Sequence, residues 1–446
     1  MHTLKNFLKK IIPKKIFDIY HFSLAWIASF VFRFPSKKMI IIGVTGTKGK
    51  TSTINYLWSV LEYGGIKTGV ITTANVRIGE TEILNPFHMT MPGRFVIQKF
   101  LHRMVSEGCR CAIVETTSQG IAQFRHIGID YDVAIFTNLT PEHIDAHKTF
   151  ENYKMMKGKL FETLSHSATK YFDNKPFPKT IIANADSEYA PFFLSFDAPR
   201  KEAFSMNLSG AYKADNVLFQ KDGVSFEVGK EKYSLQIPGV FNVYNALPAI
   251  IIGHIFGISK EKIKRGLHHL SVIPGRMEEI SLGQDFRLFV DYAHEKYSMT
   301  FVTETANLLK QKGAKSIILL GAEGGGRDKS KRAVMGEIVG KNADIVVVSN
   351  VDPYDDDPQE ILEDIARAAV AAGKSRNKNL FVIEDRREGI RKCLEEAKTG
   401  DVVIIACKGA EQSMIIGGDS IPWDDRTVVK EELESLLKLE VCDGLC

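Results

Sequence analysis

The sequence predicts an α/β protein, and three observations carry that reading. From residue 38 onward, short apolar runs suited to buried strands alternate with amphipathic stretches suited to helices. A glycine-rich turn at residues 43–51 follows an apolar strand and opens a helix. A second αβ series begins after the Pro274-Gly275-Arg276 turn. The 446 residues provide for about three domains of ~150 residues each, enough to build a site between them. A composition of 44% hydrophobic and 25% charged residues excludes the low-complexity, disordered class. The net charge of +4 is too small to argue for a polyanion, so no nucleic-acid partner is implied. Cys109, Cys111, Cys393, Cys407, Cys442 and Cys446 contain no CxxC pair, which points to reduced, packed thiols rather than a disulfide framework or a zinc finger.

Taken in order, residues 1–37 form a basic, apolar helical segment. Eight Lys/Arg in the first 40 residues (Lys5, Lys9, Lys10, Lys14, Lys15, Arg33, Lys37, Lys38) face a single acid, Asp18. Asp18 and His21 interrupt the apolar run from Ile16 to Phe34, which makes it a poor spanning helix and a better one for lying on anionic lipid. The alternative is that Phe22, Trp26, Phe30 and Phe32 dock on the following domain. A central nucleotide-binding domain spans 38–274, with strands over Met39–Val44, Arg110–Glu115 and Val133–Asn138 and a helix from Lys50 to Glu62. Strands near 213–237 read as a hairpin insertion. The C-terminal domain, 275–446, carries strands near Leu288–Asp291, Ser316–Leu320, Asp344–Ser349, Leu380–Ile383 and Asp401–Cys407.

Gly43-Val-Thr-Gly46-Thr47-Lys48-Gly49-Lys50-Thr51-Ser52 has the spacing of a phosphate-binding loop in the context that such a loop requires. Its glycines let backbone N–H groups converge on phosphate oxygens. Lys50 brings a point charge to the β and γ phosphates, and the Thr51 hydroxyl suits Mg2+. ATP is the expected ligand. Glu115 and His143 follow consecutive strands, and parallel strands project their ends to the phosphate-loop edge, so both are candidates for a metal beside the γ phosphate.

These residues resemble the Mur ligases, ATP-dependent amide-forming enzymes of cell-wall peptide synthesis, and within them the tripeptide synthetases. The resemblance rests on Gly46-Thr-Lys-Gly-Lys-Thr, Glu115-Thr-Thr-Ser-Gln, Asn138-Leu-Thr-Pro-Glu-His-Ile-Asp-Ala-His, Phe241-Asn-Val-Tyr-Asn245, Pro274-Gly-Arg-Met-Glu278, Asp291-Tyr-Ala-His294, Gly326-Arg-Asp-Lys-Ser-Lys-Arg332 and Lys408-Gly-Ala-Glu411. It implies a central P-loop domain with a parallel sheet plus a C-terminal Rossmann-like α/β domain. It also implies phosphorylation of a substrate carboxylate by ATP to an acyl-phosphate, followed by attack of an amine. In that chemistry Lys50, Lys157, His143 and Arg327 are the catalytic candidates. Thr51, Glu115, His143 and Lys157 would hold two Mg2+ ions, with Lys157 carbamylated. Asn242, Asn245, Arg276, Asp291 and His294 would join the phosphate loop in binding ATP, while Thr90, Ser118, Arg125, Asp352, Tyr354, Lys408 and Glu411 would hold the peptide acceptor and the amino acid. From the bare sequence Lys157 reads as a solvated helix lysine, and Asn242 as a helix cap.

Two departures bear on substrate choice. The family's Asp-Asn-Pro-Arg motif, which grips the distal carboxylate of meso-diaminopimelate, becomes Val351-Asp352-Pro353-Tyr354, and Gly-Lys-Gly-His-Glu becomes Cys407-Lys408-Gly409-Ala410-Glu411. A different amino acid, such as lysine, is therefore open. Only 37 residues precede the first strand, against about a hundred that hold UDP in the family, a typical small-domain size. The acceptor is thus expected to be a cell-wall peptide precursor on UDP or on lipid, met in the cytoplasm at the inner face of the membrane. The competing expectations are a folylpolyglutamate-like amide ligase and an ATP-binding scaffold without chemistry.

Overall fold

The computed structural model describes residues 14–87, 89–140, 148–220 and 223–443. The chain opens with helix α1 (Lys14–Val31) and enters strand β1 (Ile40–Thr45). All six residues of β1 are buried, and they alternate between two cores. Ile40, Ile42 and Val44 face one side of the sheet, and Ile41 faces the other. Strand β1 leads into α2 (Lys50–Tyr63). A meander follows, β2 (Thr68–Ile71), β3 (Asn75–Ile78) and β4 (Thr81–Leu84), then α3 (Arg94–Ser106), β5 (Cys111–Glu115), the short α4 (Ser118–Ala122), β6 (Val133–Phe136) and α5 (Phe150–His166).

A small hairpin, β7 (Lys170–Phe172) and β8 (Lys175–Phe177), precedes β9 (Thr180–Asn184), α6 (Ala190–Leu194), β10 (Arg200–Ser205), β11 (Tyr212–Gln220), β12 (Gly223–Val228) and β13 (Glu231–Leu235). The sheet order is β13-β12-β11-β10-β9-β6-β1-β5-β2-β3-β4. Its centre is parallel and both margins are antiparallel. The strands near 213–237 are therefore not a separate hairpin insertion. Strand β11 pairs in parallel with β10, so this segment extends the main sheet. Helices α2, α7 (Phe241–Ile255) and α8 (Lys260–His269) cover one face, and α3 and α5 the other. Beneath β1, the buried Asp132 carboxylate accepts from the Ile41 amide at 2.8 Å and pairs with Lys170 at 2.6 Å and Lys179 at 2.8 Å, so the buried carboxylate is fully paired.

The second sheet contains β14 (Glu278–Glu279), β15 (Arg287–Val290), β16 (Ser316–Leu320), β17 (Ile345–Val348), β18 (Leu380–Val382) and β19 (Val402–Ile405), in the order β14-β15-β19-β16-β17-β18. Its helices are α9 (Lys296–Leu309), α10 (Ser330–Asn342), α11 (Pro358–Ala371), α12 (Arg386–Glu396) and α13 (Asp425–Asp443). Hairpin β20 (Ser413–Ile416) and β21 (Asp419–Pro422) lies before α13. Arg386 and Asp425, both fully buried, form a two-pronged ion pair at 2.6 and 2.8 Å that ties α12 to α13. Phe241 of α7 packs on Phe301 of α9 with ring centroids 5.4 Å apart, joining the two sheets' helices. Cys109, Cys111, Cys393 and Cys407 are buried free thiols. The Cys442 side chain and Cys446 lie outside the described residues.

Candidate active site

Strand β1 pairs on either side with β5 and β6, in a register that sets Val44 opposite Glu115 and Thr45 opposite Phe136. The ends of these strands therefore meet at the glycine-rich loop. Gly46 has φ +153°, and a Cβ there would stand 1.9 Å from the Thr137 hydroxyl. Gly49 has φ +79°, and a Cβ there would stand 2.3 Å from Asn245 Oδ1. Only glycine fits both turns. Hydrogen bonds lock the loop from β6. The Thr47 amide donates to the Asn138 carbonyl at 2.8 Å, the Lys48 amide to Asn138 Oδ1 at 2.8 Å, and the Thr137 hydroxyl to the Lys48 carbonyl at 2.7 Å. Lys50 donates to the Thr47 carbonyl at 3.0 Å, so its charge is folded back over the loop. Thr51 and Ser52 lie in the first turn of α2 and are buried.

Glu115 is the hub beside this loop. Its Oε2 accepts from the Thr51 hydroxyl at 2.8 Å and the Thr73 amide at 2.9 Å. Its Oε1 accepts from the Thr73 hydroxyl at 3.1 Å and lies 4.0 Å from Lys50 Nζ. A buried carboxylate beside a threonine hydroxyl at the phosphate-loop helix is a hard-oxygen donor set, the kind Mg2+ takes. Among the described residues no group of three or more His, Cys, Asp or Glu is assembled for a metal. His143 lies outside the described residues. Thr73 also links to Thr90 at 2.8 Å, which connects the hub to the Met89–Met91 loop. Arg125 reaches the same loop by donating to the Met91 carbonyl, and also bonds Gln123 Oε1 at 2.5 Å. Ser118 sits buried in the first turn of α4.

The structure corrects the surface reading of Lys157. Its side chain is 2% exposed, donates to the Gly46 carbonyl at 2.8 Å and lies 4.4 Å over the Tyr153 ring. Tyr153 in turn contacts the Thr47 hydroxyl at 3.2 Å. Helix α5 thus brings an amine under the phosphate loop, where sequence periodicity alone could not distinguish it from Lys154 or Lys159. Asn242 is likewise not the helix cap. Val240 holds that position, while Asn242 lies inside the first turn, donates to the Pro238 carbonyl at 2.9 Å and accepts from Asn245 at 3.0 Å.

Between the two sheets' domains, Lys48 pairs with Glu295 at 3.1 Å, and Glu295 caps α9 through the Tyr297 and Ser298 amides. Asp291 is buried and accepts from the Met277 and Ala293 amides at 2.7 Å each, so its carboxylate shapes the turn that presents His294. Burial raises its pKa, opposed by Arg276 and those two amides. Arg276 lies 4.3 Å over the Tyr292 ring, and His294 Nδ1 meets the Tyr292 carbonyl at 2.7 Å.

Lys408 forms a second hub, fully buried, reaching Asp352 at 3.0 and 3.1 Å and Glu411 at 2.9 Å. Tyr292 donates to the other Glu411 oxygen at 3.2 Å. Glu411 therefore already has an internal ammonium partner. Burial depresses the Lys408 pKa, but Glu411 and Asp352 outweigh it and the net shift is upward. Tyr354, at φ +55°, bridges to Ile416 and hydrogen-bonds Arg327, which lies 3.8 Å from Glu323. Burial raises Glu323, but Lys331, Arg327, His294 and Lys408 together bring its pKa down to about 2. Glu323, Thr73, Tyr153, Tyr292 and Glu295 escaped the sequence reading. Two had a local signal: Glu295 as an acidic residue just before a helix, and Tyr292 as a member of the Asp291-Tyr-Ala-His294 run.

Known proteins share this layout. Residues 44–253 match the Mur ligase middle domain and residues 275–409 the Mur ligase glutamate ligase domain. The UDP-N-acetylmuramoyl-L-alanyl-D-glutamate–2,6-diaminopimelate ligase of Caldanaerobacter subterraneus subsp. tengcongensis is 36% identical over 415 residues, covering 92% of this chain and 81% of that one. A solved ligase of the same name superposes with a TM-score of 0.59 at 27% identity, over 90% of this chain and 79% of its own. Folylpolyglutamate synthase of Mycobacterium tuberculosis shares the fold alone, with a TM-score of 0.66 at 15% identity over 86% of this chain and 92% of its own. With matched middle and C-terminal domains and this identity over most of its length, the chain belongs to the Mur ligase family of ATP-dependent amide-forming ligases.

Proposed function

We propose that the protein adds an amino acid to the carboxylate of a cell-wall peptide precursor through an acyl-phosphate. The observation that carries this is the Glu115–Thr51–Lys50 cluster at the phosphate loop, with the Lys157 amine buried under the same loop. Two anions, the acceptor carboxylate and the γ phosphate, must approach each other, and the cost of that approach sets the residue types. Lys50 neutralises the transferring phosphate. Thr51 and Glu115 would hold Mg2+, which supplies further positive charge at the phosphate oxygens. Lys157, with its ammonium giving up one proton and the free amine then joining carbon dioxide as a carbamate with loss of a second, would change from cation to anion and help His143 hold a second ion. Arg327 approaches from the C-terminal domain as the cleft closes. Asn242, Asn245, Arg276, Asp291 and His294 frame the nucleotide, and Thr90, Ser118 and Arg125 the acceptor.

The amino acid enters beside Asp352, Tyr354, Lys408 and Glu411. Tyr354 replaces the arginine that would pair with a distal carboxylate, so the pocket favours an amino acid without one, such as lysine. The acceptor is a UDP-linked or lipid-linked peptide, met in the cytoplasm with peripheral membrane contact through residues 1–37. The test is phosphate release from ATP and Mg2+ with each candidate acceptor and amino acid, followed by mass spectrometry of the product. Release that requires both substrates, with an amide product, is expected. Release that ignores the amino acid overturns the reading.

A further inference from the structure

Helix α1 presents its apolar side the wrong way for a helix packed on a water-soluble body. Ile16, Ile19, Tyr20, Trp26, Ile27, Phe30 and Val31 are all exposed, Phe30 at 73% and Ile19 at 65%. At 100° per residue they fall with Ser23 in one arc of about 140°, which carries no charge. The side that meets the body is instead a narrow stripe of small residues, Ala25, Ala28 and Ser29. A Cβ on Gly128 would stand 1.8 Å from Ser29 Oγ, so the Ser29 side chain packs directly on the Gly128 backbone. Phe22 packs edge-on against Phe124 at 6.3 Å, and Phe32 lies tilted against His102 at 5.9 Å. The expectation that four aromatics dock is thus half met, since Trp26 and Phe30 point away from the body.

We propose that this outward face of α1 is a docking surface for an anionic lipid bilayer. A continuous uncharged apolar arc of this kind marks an interaction site. Charge complementarity selects the occupant. Lys14 and Lys15 begin the helix, Arg33, Lys37 and Lys38 follow it with exposed side chains, and Asp18 is the one acid among residues 14–38. Basic ends flanking an apolar face match acyl chains beneath anionic headgroups. No helix of the described residues is long and apolar enough to cross a membrane; a single apolar face with basic ends suits a helix lying along the surface. Through Phe22, beside that face, and Phe124 the helix abuts the Gln123–Arg125 turn, where the ligase reading places the acceptor. The docking deepens that reading by supplying a lipid-linked acceptor from the same membrane.

The test is flotation of the full chain with vesicles of phosphatidylglycerol and phosphatidylcholine, against phosphatidylcholine alone, at low and high salt. Wild type should float with the anionic vesicles at low salt only. Ile27→Glu with Phe30→Glu, both at exposed positions, should reduce flotation at least tenfold while leaving the thermal midpoint and turnover on a soluble acceptor unchanged. As a measurement on the unaltered fold, brominated lipid should quench Trp26 fluorescence, read against Trp26→Phe. Wild type remaining in the soluble fraction, equal flotation of the double variant, or a vesicle-free dimer that the double variant converts to monomer each overturns the proposal. Flotation needs no turnover, so its failure leaves the ligase reading standing, and loss of ligation leaves the docking standing.

Discussion

Replacing Glu115 with glutamine isolates its charge from its shape. The carboxylate accepts three hydrogen bonds, at 2.8 Å from Thr51 and at 2.9 and 3.1 Å from Thr73, and sits 4.0 Å from the Lys50 ammonium. A glutamine carbonyl placed at Oε2 keeps the Thr51 hydroxyl and the Thr73 amide satisfied, and its NH2 can donate to the Thr73 hydroxyl, which already exchanges a bond with Thr90 at 2.8 Å. Each retained bond falls from charge-assisted to neutral, a loss of about 1 kcal/mol apiece. The smaller desolvation penalty of a neutral side chain offsets part of this, leaving a net change of about 1–2 kcal/mol. The catalytic loss should be larger, on the order of 100- to 1000-fold or about 3–4 kcal/mol, because an anion beside the phosphate loop is removed from the transition state. Thermal unfolding, with phosphate release measured across a Mg2+ titration, separates the two. A midpoint lowered by only a few degrees, with turnover lost and the Mg2+ requirement raised, is expected. Turnover within threefold of wild type at the same Mg2+ refutes the assignment.

Lys157→Ala should lose most activity and regain part of it with short carboxylic acids, which replace an anionic oxygen pair; wild-type turnover without added acid contradicts the carbamate. Glu411→Gln should raise the amino-acid KM far more than the ATP KM, because Lys408 loses a partner at 2.9 Å on the amino-acid side; equal effects on both would place Glu411 elsewhere. His126 is buried, and burial, with Lys159 adding to it, lowers its pKa from 6.5 to about 4. The unfolded chain then binds the extra proton between those values, so stability should fall by about 3 kcal/mol as pH drops from 6.5 to 4. Denaturant unfolding of wild type and His126→Asn across that range checks this, and an unchanged pH slope in the variant refutes it.

The phosphate loop and the central strands were legible because their signals are local. An all-buried parallel strand such as β1 is a continuous apolar run, and the glycines at 46 and 49 answer to φ values that other residues rarely adopt. Lys157 was opaque because its burial depends on how α5 crosses the loop, a tertiary fact. The Lys408 hub was only half visible. Its residues stood out, but the internal pairing of Glu411 comes from a turn at 352 meeting another at 408. The β11–β13 segment was misplaced because turn-rich antiparallel strands look alike whether they stand alone or edge a larger sheet. For α1, apolar residues on nearly every side hid which face turns inward, and the small residues Ala25, Ala28 and Ser29 were the unused clue.

Acyl-phosphate ligation leaves its mark on the oxygen that departs with the phosphate. An acceptor whose reacting carboxylate is labelled with oxygen-18, incubated with ATP, Mg2+, the amino acid and the protein, should yield inorganic phosphate carrying one labelled oxygen for each amide formed. Amide formation with unlabelled phosphate would contradict a phosphorylated carboxylate, and labelled phosphate without any amide would contradict ligation.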